Sequence, residues 1–179
     1  MTSSPALHLT LVPWEDGVDL DIRMTLPVTA AEVWAQLADP AACGAWFAPY
    51  TRDGDTLTFD AGEGETFTAE IIHCVEESDV MIDFADFGPT GLSLRPVDGG
   101  AGEHVDAATE IIVTRPHADH SAVADSLDSR IEGLWPSHLE LLAEHLGHRL
   151  ASQGDSTFLD ETFAALSRAA RAAAAEDSR

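Results

Sequence analysis

Eight histidines and two cysteines are the residues of this chain best suited to chemistry, and their spacing decides what each can do. His117 and His120, with Asp119 between them, have a ligand-like spacing, as do His145 and His148 on one predicted helix. A catalytic zinc site needs three converging protein ligands and an open position. His138 lies about two helical turns from His145, and Glu144 falls on a different face, so no third ligand joins them. A solvated polar face accounts for these residues better, and neither a metal nor a cofactor is expected. Nucleophilic catalysis is no better supplied. No Gly-x-Ser-x-Gly elbow occurs. His73 and Cys74 are adjacent, so on a regular strand they point to opposite faces and form no dyad. Gly62-x-Gly64 and Gly99-Gly100-x-Gly102 read as hairpin turns, with no lysine following as a phosphate cradle would require. Carboxylates are so abundant that no pair stands out for acid–base work. No catalytic residue is assigned.

The charge balance narrows the partners. Nine Lys+Arg stand against 32 Asp+Glu, a net charge of −23, and every cation is an arginine. Neutralising phosphates takes cations, so nucleic acid is not an expected partner, nor is an anionic membrane surface. Two readings of the acidity stay open: solubility with self-repulsion, or a docking face for a basic protein partner. Cys43 and Cys74 lack the spacing of a disulfide framework and read as reduced thiols of a cytoplasmic protein. The first residues carry no early cation or long apolar run, so no secretory signal is read there. No stretch approaches the ~20 apolar residues of a membrane span. A chain of 179 residues accommodates one ordinary domain, residues 1–150, with an extension over 151–179.

Periodicity shows which elements would position these side chains. Leu7, Leu9 and Leu11 alternate with His8, Thr10 and Val12; Pro13 to Gly17 supply a turn; Val18, Leu20, Ile22, Met24 and Leu26 alternate again, predicting an opening hairpin. Thr29, three residues ahead of Glu32, makes a capping box for a helix with Val33, Trp34, Leu37 and Ala38 on one face. Asp39-Pro40 must end it, Ala41 to Ala45 can add a turn, and Trp46-Phe47 return to the core. Short strands follow. Leu57 and Phe59 alternate on one. The next carries Phe67, Ala69, Ile71, His73 and Val75 on one face and Thr68, Glu70, Ile72 and Cys74 on the other. Val80, Ile82 and Phe84, then Leu92 and Leu94, then Thr109, Ile111 and Val113 complete the series, with Asp98 to Gly102 as a loop. Seven strands around one helical pair predict an α+β fold with an antiparallel sheet. From Ser121 the period is helical, and Gly133 and Pro136 predict a kink or two abutting helices. Beyond a break at Ser152–Ser156, Phe158, Leu159, Phe163 and Leu166 mark a last amphipathic helix, which packs on the domain or pairs two copies into a homodimer.

The run LPVTAAEVWAQLADPAACGAWFAP, residues 26–49, resembles the first signature of the SRPBCC (START-like) superfamily: Leu26-Pro27, Val33-Trp34, Asp39-Pro40 and Trp46-Phe47. More narrowly it is similar to the branch of the C-terminal domain of the activator of heat-shock-protein ATPase. GLWPSHLELLAEHL, residues 133–146, resembles the second signature. The resemblance implies a helix-grip fold, a curved antiparallel sheet wrapped around a long C-terminal helix, often with an internal cavity. Pro136 departs from the pattern, and residues 151–179 have no counterpart in it.

The inward sheet residues Phe67, Ile71, Phe84, Leu92, Leu94 and Ile111 must pack against the helix bearing Trp135, Leu139 and Leu142, with Trp34, Trp46 and Phe47 closing one end. A ligand site there would be mostly apolar with a few placed polar groups, for which His73 and His138 are the candidates. The favoured expectation is a non-enzymatic START-like domain binding a small hydrophobic ligand between sheet and C-terminal helix. An acidic interaction module, or a chaperone ATPase activator-like protein, is one alternative. A cyclase- or hydrolase-type cavity enzyme using His73 or His138 as base is another.

Overall fold

The computed structural model describes residues 4–97, 107–155 and 157–179. β1 (His8–Trp14) and β2 (Gly17–Leu26) form the opening hairpin, in register from His8 opposite Arg23 to Trp14 opposite Gly17. Gly17 is needed there: a Cβ would lie 2.5 Å from the His117 carbonyl oxygen. Two short helices, α1 (Ala30–Ala38) and α2 (Pro40–Cys43), come next. Six strands then run as an antiparallel meander: β3 (Tyr50–Asp53), β4 (Thr56–Gly62), β5 (Glu65–Val75), β6 (Asp79–Phe84), β7 (Gly88–Val97) and β8 (Ala108–His117). β8 pairs with β2, giving one sheet in the order β1-β2-β8-β7-β6-β5-β4-β3. β3 is an eighth strand, beyond the seven the sequence predicts. It is a short edge strand folded onto β4 by Gly54 in the left-handed region. The Asp98–Gly102 loop lies outside the described residues.

The helical pair is built as its residues dictate. Glu32 N–H donates to the Thr29 hydroxyl at 3.1 Å and Thr29 N–H to the Glu32 carboxylate at 2.7 Å, a complete capping box. Asp39 ends α1 and caps α2, its Oδ1 accepting from Ala41 N–H at 2.8 Å and Ala42 N–H at 3.2 Å. Pro40 occupies the first turn of α2, where a missing N–H costs nothing. The Trp46 indole then donates to Gln36 O at 3.0 Å, folding the exit of α2 back on α1.

The C-terminal helical region breaks before Pro136 rather than at it. α3 (His120–Asp128) stops, Arg130 adopts φ 62°, Ile131–Gly133 make one 3₁₀ turn, and α4 (Leu134–His145) begins. Pro136 is the third residue of α4, in a first turn whose amides have no intrahelical acceptor, so it produces no kink. What sets the break is Glu132, drawn into the core from the 3₁₀ turn with no exposed surface. The resemblance leads one to expect a long uninterrupted helix; the helix on the sheet is the 12-residue α4 instead. The 20-residue helix is α5 (Phe158–Asp177), which lies on α3. Phe163 and Ala170 of α5 are buried in the main core, while Ser167 donates to Asp128 at 2.6 Å and Arg171 pairs with Asp125 and Asp128. Among the described residues no helix is long and apolar enough to cross a membrane.

Candidate functional site

The inner face of the sheet divides into two territories. Under α3 and α4 it is packed solid: Leu20, Ile22, Met24, Ile111, Leu139 and Leu142 are all at or below 1% exposure. Towards the β3 edge, where α1 and α2 cover the sheet, the packing leaves a cavity of about 390 Å³. Its roof comes from the helical pair through Trp34, Leu37 and Cys43, continued by Trp46 and Phe47. Its floor is sheet: Tyr50 of β3, Leu57 and Phe59 of β4, Ile71 of β5, Val80, Ile82 and Phe84 of β6, Thr90 and Leu92 of β7. α4 contributes Trp135 alone. Exposed residues frame the mouth, Ala38 and Pro40 on the helical side, Arg52, Cys74 and Glu76 on the sheet side.

Phe47 organises the aromatic wall. Its ring stacks on Trp135 at 5.4 Å and 5°, and meets Phe59 and Phe84 edge-on at 5.4 and 6.1 Å. Tyr50 fixes the roof, its hydroxyl lying 3.0 Å from Leu37 O and 2.9 Å from Ala38 O, carbonyls at the end of α1 that have no helical partner. Burial pushes its phenol above the ordinary range. Tyr50→Phe is therefore expected to lower the unfolding free energy by about 1 kcal/mol in a denaturant titration. No change would mean that water caps α1 equally well.

Of the residues singled out in the sequence, the structure brings Trp34, Trp46, Phe47, Ile71, Phe84, Leu92 and Trp135 to the cavity wall. It places the others elsewhere. Phe67 stacks flat on Phe59 at 4.9 Å and 8°, and Phe59 takes the wall. Leu94, Ile111, Leu139 and Leu142 belong to the solid core under the helices, because α4 leaves the cavity after its first turn. His138 donates through Nδ1 to Trp46 O at 2.7 Å and lies edge-on to Phe47, bracing the aromatic turn from behind.

His73 is turned outward, and the reason is a β-bulge. Pairing of β5 with β6 slips between Ile71 and His73, which exposes Ile72 and inverts the alternation beyond it. Cys74 and Glu76 therefore face the cavity mouth, while His73 Nε2 sits 2.9 Å from Asp79 on the outer side. Neither histidine considered as a base lines the cavity.

Sequence reasoning missed several wall residues. Leu57, Phe59, Val80 and Ile82 carry a plain period-2 signal that would have found them. Tyr50 and Arg52 needed the unforeseen strand, and Cys74 and Glu76 needed the bulge. Cys43 is buried, which pushes its thiol up to about 11, so it stays protonated at neutral pH.

A buried polar cluster adjoins the cavity. Arg115 Nε donates to Glu132 Oε2 at 3.1 Å, its Nη1 to the Thr90 hydroxyl at 2.8 Å and Pro89 O at 3.1 Å, and its Nη2 to Phe87 O at 2.7 Å. His117 Nε2 lies 3.1 Å from Glu132 Oε1, which also accepts from the Ser126 hydroxyl. Burial alone would raise the Glu132 carboxyl; the His117 hydrogen bond, the Arg115 charge and the Ser126 hydroxyl together outweigh it and hold the group at about 2.

This fold has counterparts among solved structures. CalU16 from Micromonospora echinospora aligns over 93% of this chain and 99% of its own, with 17% identity and a TM-score of 0.59. EF2215 from Enterococcus faecalis, a conserved protein of unknown function, aligns over 94% and 91%, with 12% identity and a TM-score of 0.57. DynU16, a protein of the dynemicin biosynthetic locus, aligns over 75% of this chain and 48% of its own, with 19% identity and a TM-score of 0.54. The fold is helix-grip. No family model and no curated protein matches the sequence, so the likeness is one of architecture. The cavity lies beneath the helical pair, not between the sheet and a long C-terminal helix as the resemblance led one to expect.

Proposed function

We propose that this chain binds a small, predominantly apolar molecule in the cavity beneath α1 and α2. The observation that carries this reading is the contrast within one sheet face. Half is packed solid by Leu, Ile and Met, while the other half is walled by large rings that leave about 390 Å³ unfilled. Interiors are ordinarily close-packed, and the volume lies in the range of small-molecule sites. The exposed rim at Ala38, Pro40, Arg52 and Glu76 supplies an entrance. The origin of DynU16 in a biosynthetic locus fits a small organic ligand.

The test is a fluorescence titration with N-phenyl-1-naphthylamine, a neutral apolar dye. Saturable binding of one dye per chain, with a blue-shifted emission and a Kd on the order of micromolar, is the expected result. Absence of saturable binding would overturn the reading.

The net charge of −23 favours a second reading, a docking module for a basic partner, in line with the motif likeness to the ATPase-activator branch. Such association would weaken steeply with salt and survive substitutions inside the cavity.

A further inference from the structure

The polar hydrogens of the cavity wall can be accounted for one by one. Among the described residues, four buried wall residues carry such a hydrogen: Cys43, Trp46, Thr90 and Trp135. The Trp46 indole is spent on Gln36 O. The Cys43 thiol is a weak donor, and its sulfur accepts from Ala48 N–H. Thr90, 4% exposed, accepts from Arg115 through Oγ1, and its own proton has no acceptor among the described residues. Trp135, 6% exposed, has an indole N–H with no acceptor among them either. Half-buried Tyr50 directs its proton at the end of α1. Among the described residues the one carboxylate of the wall, Glu76, stands at the exposed rim.

Among the described residues the buried wall thus offers two unspent donors, the Thr90 hydroxyl and the Trp135 indole. The donor at Thr90 is strengthened from behind, because a hydroxyl that accepts from a guanidinium gives up its own hydrogen bond more readily. The Arg115 charge is paired with Glu132, and its guanidinium is spent on Thr90 and the Pro89 and Phe87 carbonyls, so among the described residues no unpaired buried cation faces the cavity to neutralise an anion. We propose that the ligand carries an uncharged acceptor oxygen of the carbonyl class on its buried end, and that Thr90, with Trp135 as the second donor, selects for it. This rests on the cavity being a ligand site.

Two neutral probes with one ring system separate the ideas: 6-propionyl-2-(dimethylamino)naphthalene, which has the carbonyl, and 2-(dimethylamino)naphthalene, which lacks it. Thr90→Val keeps the shape and removes the hydroxyl. It is expected to weaken the propionyl probe roughly tenfold and to blue-shift its bound emission, leaving the carbonyl-free probe unchanged. Thr90→Ser, which keeps the hydroxyl, restores both the affinity and the emission. It also provides the folded control if the valine variant melts early. Trp135→Phe, which keeps the stack on Phe47, acts in the same direction as the valine variant. If both probes bind and neither Thr90→Val nor Trp135→Phe alters affinity or emission of the propionyl probe, the donor assignment is overturned while the cavity reading stands. If neither naphthalene binds the wild-type chain, the cavity reading fails and the donor assignment falls with it.

Discussion

Glu132→Ala is expected to lower the unfolding free energy by about 3–5 kcal/mol, because it strands the Arg115 guanidinium in the core. Arg115 is 7% exposed and Glu132 has no exposed surface, so water cannot replace the missing carboxylate cheaply. The cluster also joins three parts of the chain. Arg115 lies on β8, Glu132 comes from the 3₁₀ turn ahead of α4, and Arg115 reaches across to Phe87 in the β6–β7 turn and Pro89 at the start of β7. Losing it should loosen the N-terminus of α4, and with it Trp135. Adding Arg115→Met to the alanine background should recover part of the loss, since the penalty is an unpaired charge rather than a missing contact.

The pH dependence has a definite sign. The folded carboxyl titrates at about 2, below its ordinary value of 4.5. Its contribution is therefore complete above about 4.5 and is lost as pH falls towards 2, a span of about 3 kcal/mol. Denaturant unfolding of both chains between about pH 6 and pH 3 should show their stabilities converging as pH falls below about 4.5. A loss under about 1 kcal/mol at neutral pH, or a gap independent of pH, would mean the cluster is hydrated rather than sealed.

The second large effect is on binding. Ile82→Trp is expected to reduce affinity for N-phenyl-1-naphthylamine by at least roughly a hundredfold while leaving the fold as stable as before. Ile82 is half-buried on β6, opposite Ile71, and its side chain borders the cavity. Tryptophan suits a strand position, and its added ring would occupy empty volume. In a packed core the same enlargement costs about 1–3 kcal/mol through strain. Here each additional buried Å² contributes roughly 25 cal/mol in the stabilising direction. A variant that unfolds early would show that the space is not available. One that stays folded and binds the dye undiminished would place the binding elsewhere on the surface.

Much of this architecture follows from local rules. The capping box at Thr29 and Glu32, the Asp39-Pro40 elbow and the opening hairpin all depend on near neighbours in sequence, and each forms as its residues require. Five aromatic residues of the wall were legible for a like reason, while Tyr50 and Phe59 were not singled out. Trp34, Trp46, Phe47, Phe84 and Trp135 are large, apolar and placed where an α+β layer arrangement must bury them.

The location and chemistry of the cavity were decided by features with no local signature. One inserted residue at Ile72 reverses the faces of β5, sending His73 outward and bringing Cys74 to the mouth. A period-2 pattern carries no mark of where it slips. The break before α4 is set by a carboxylate that pairs with an arginine 17 residues earlier in the chain, a contact that helical periodicity does not register. That pairing lies just ahead of Trp135, the one α4 residue that reaches the cavity, and it places a guanidinium behind Thr90. The elements, their order and the apolar character of the interior are legible in the sequence, since these depend on propensity and hydrophobic pattern. Which part of that interior stays open, and which polar hydrogens face it, was left to the tertiary structure, because both depend on groups that meet only when the sheet closes on its helices.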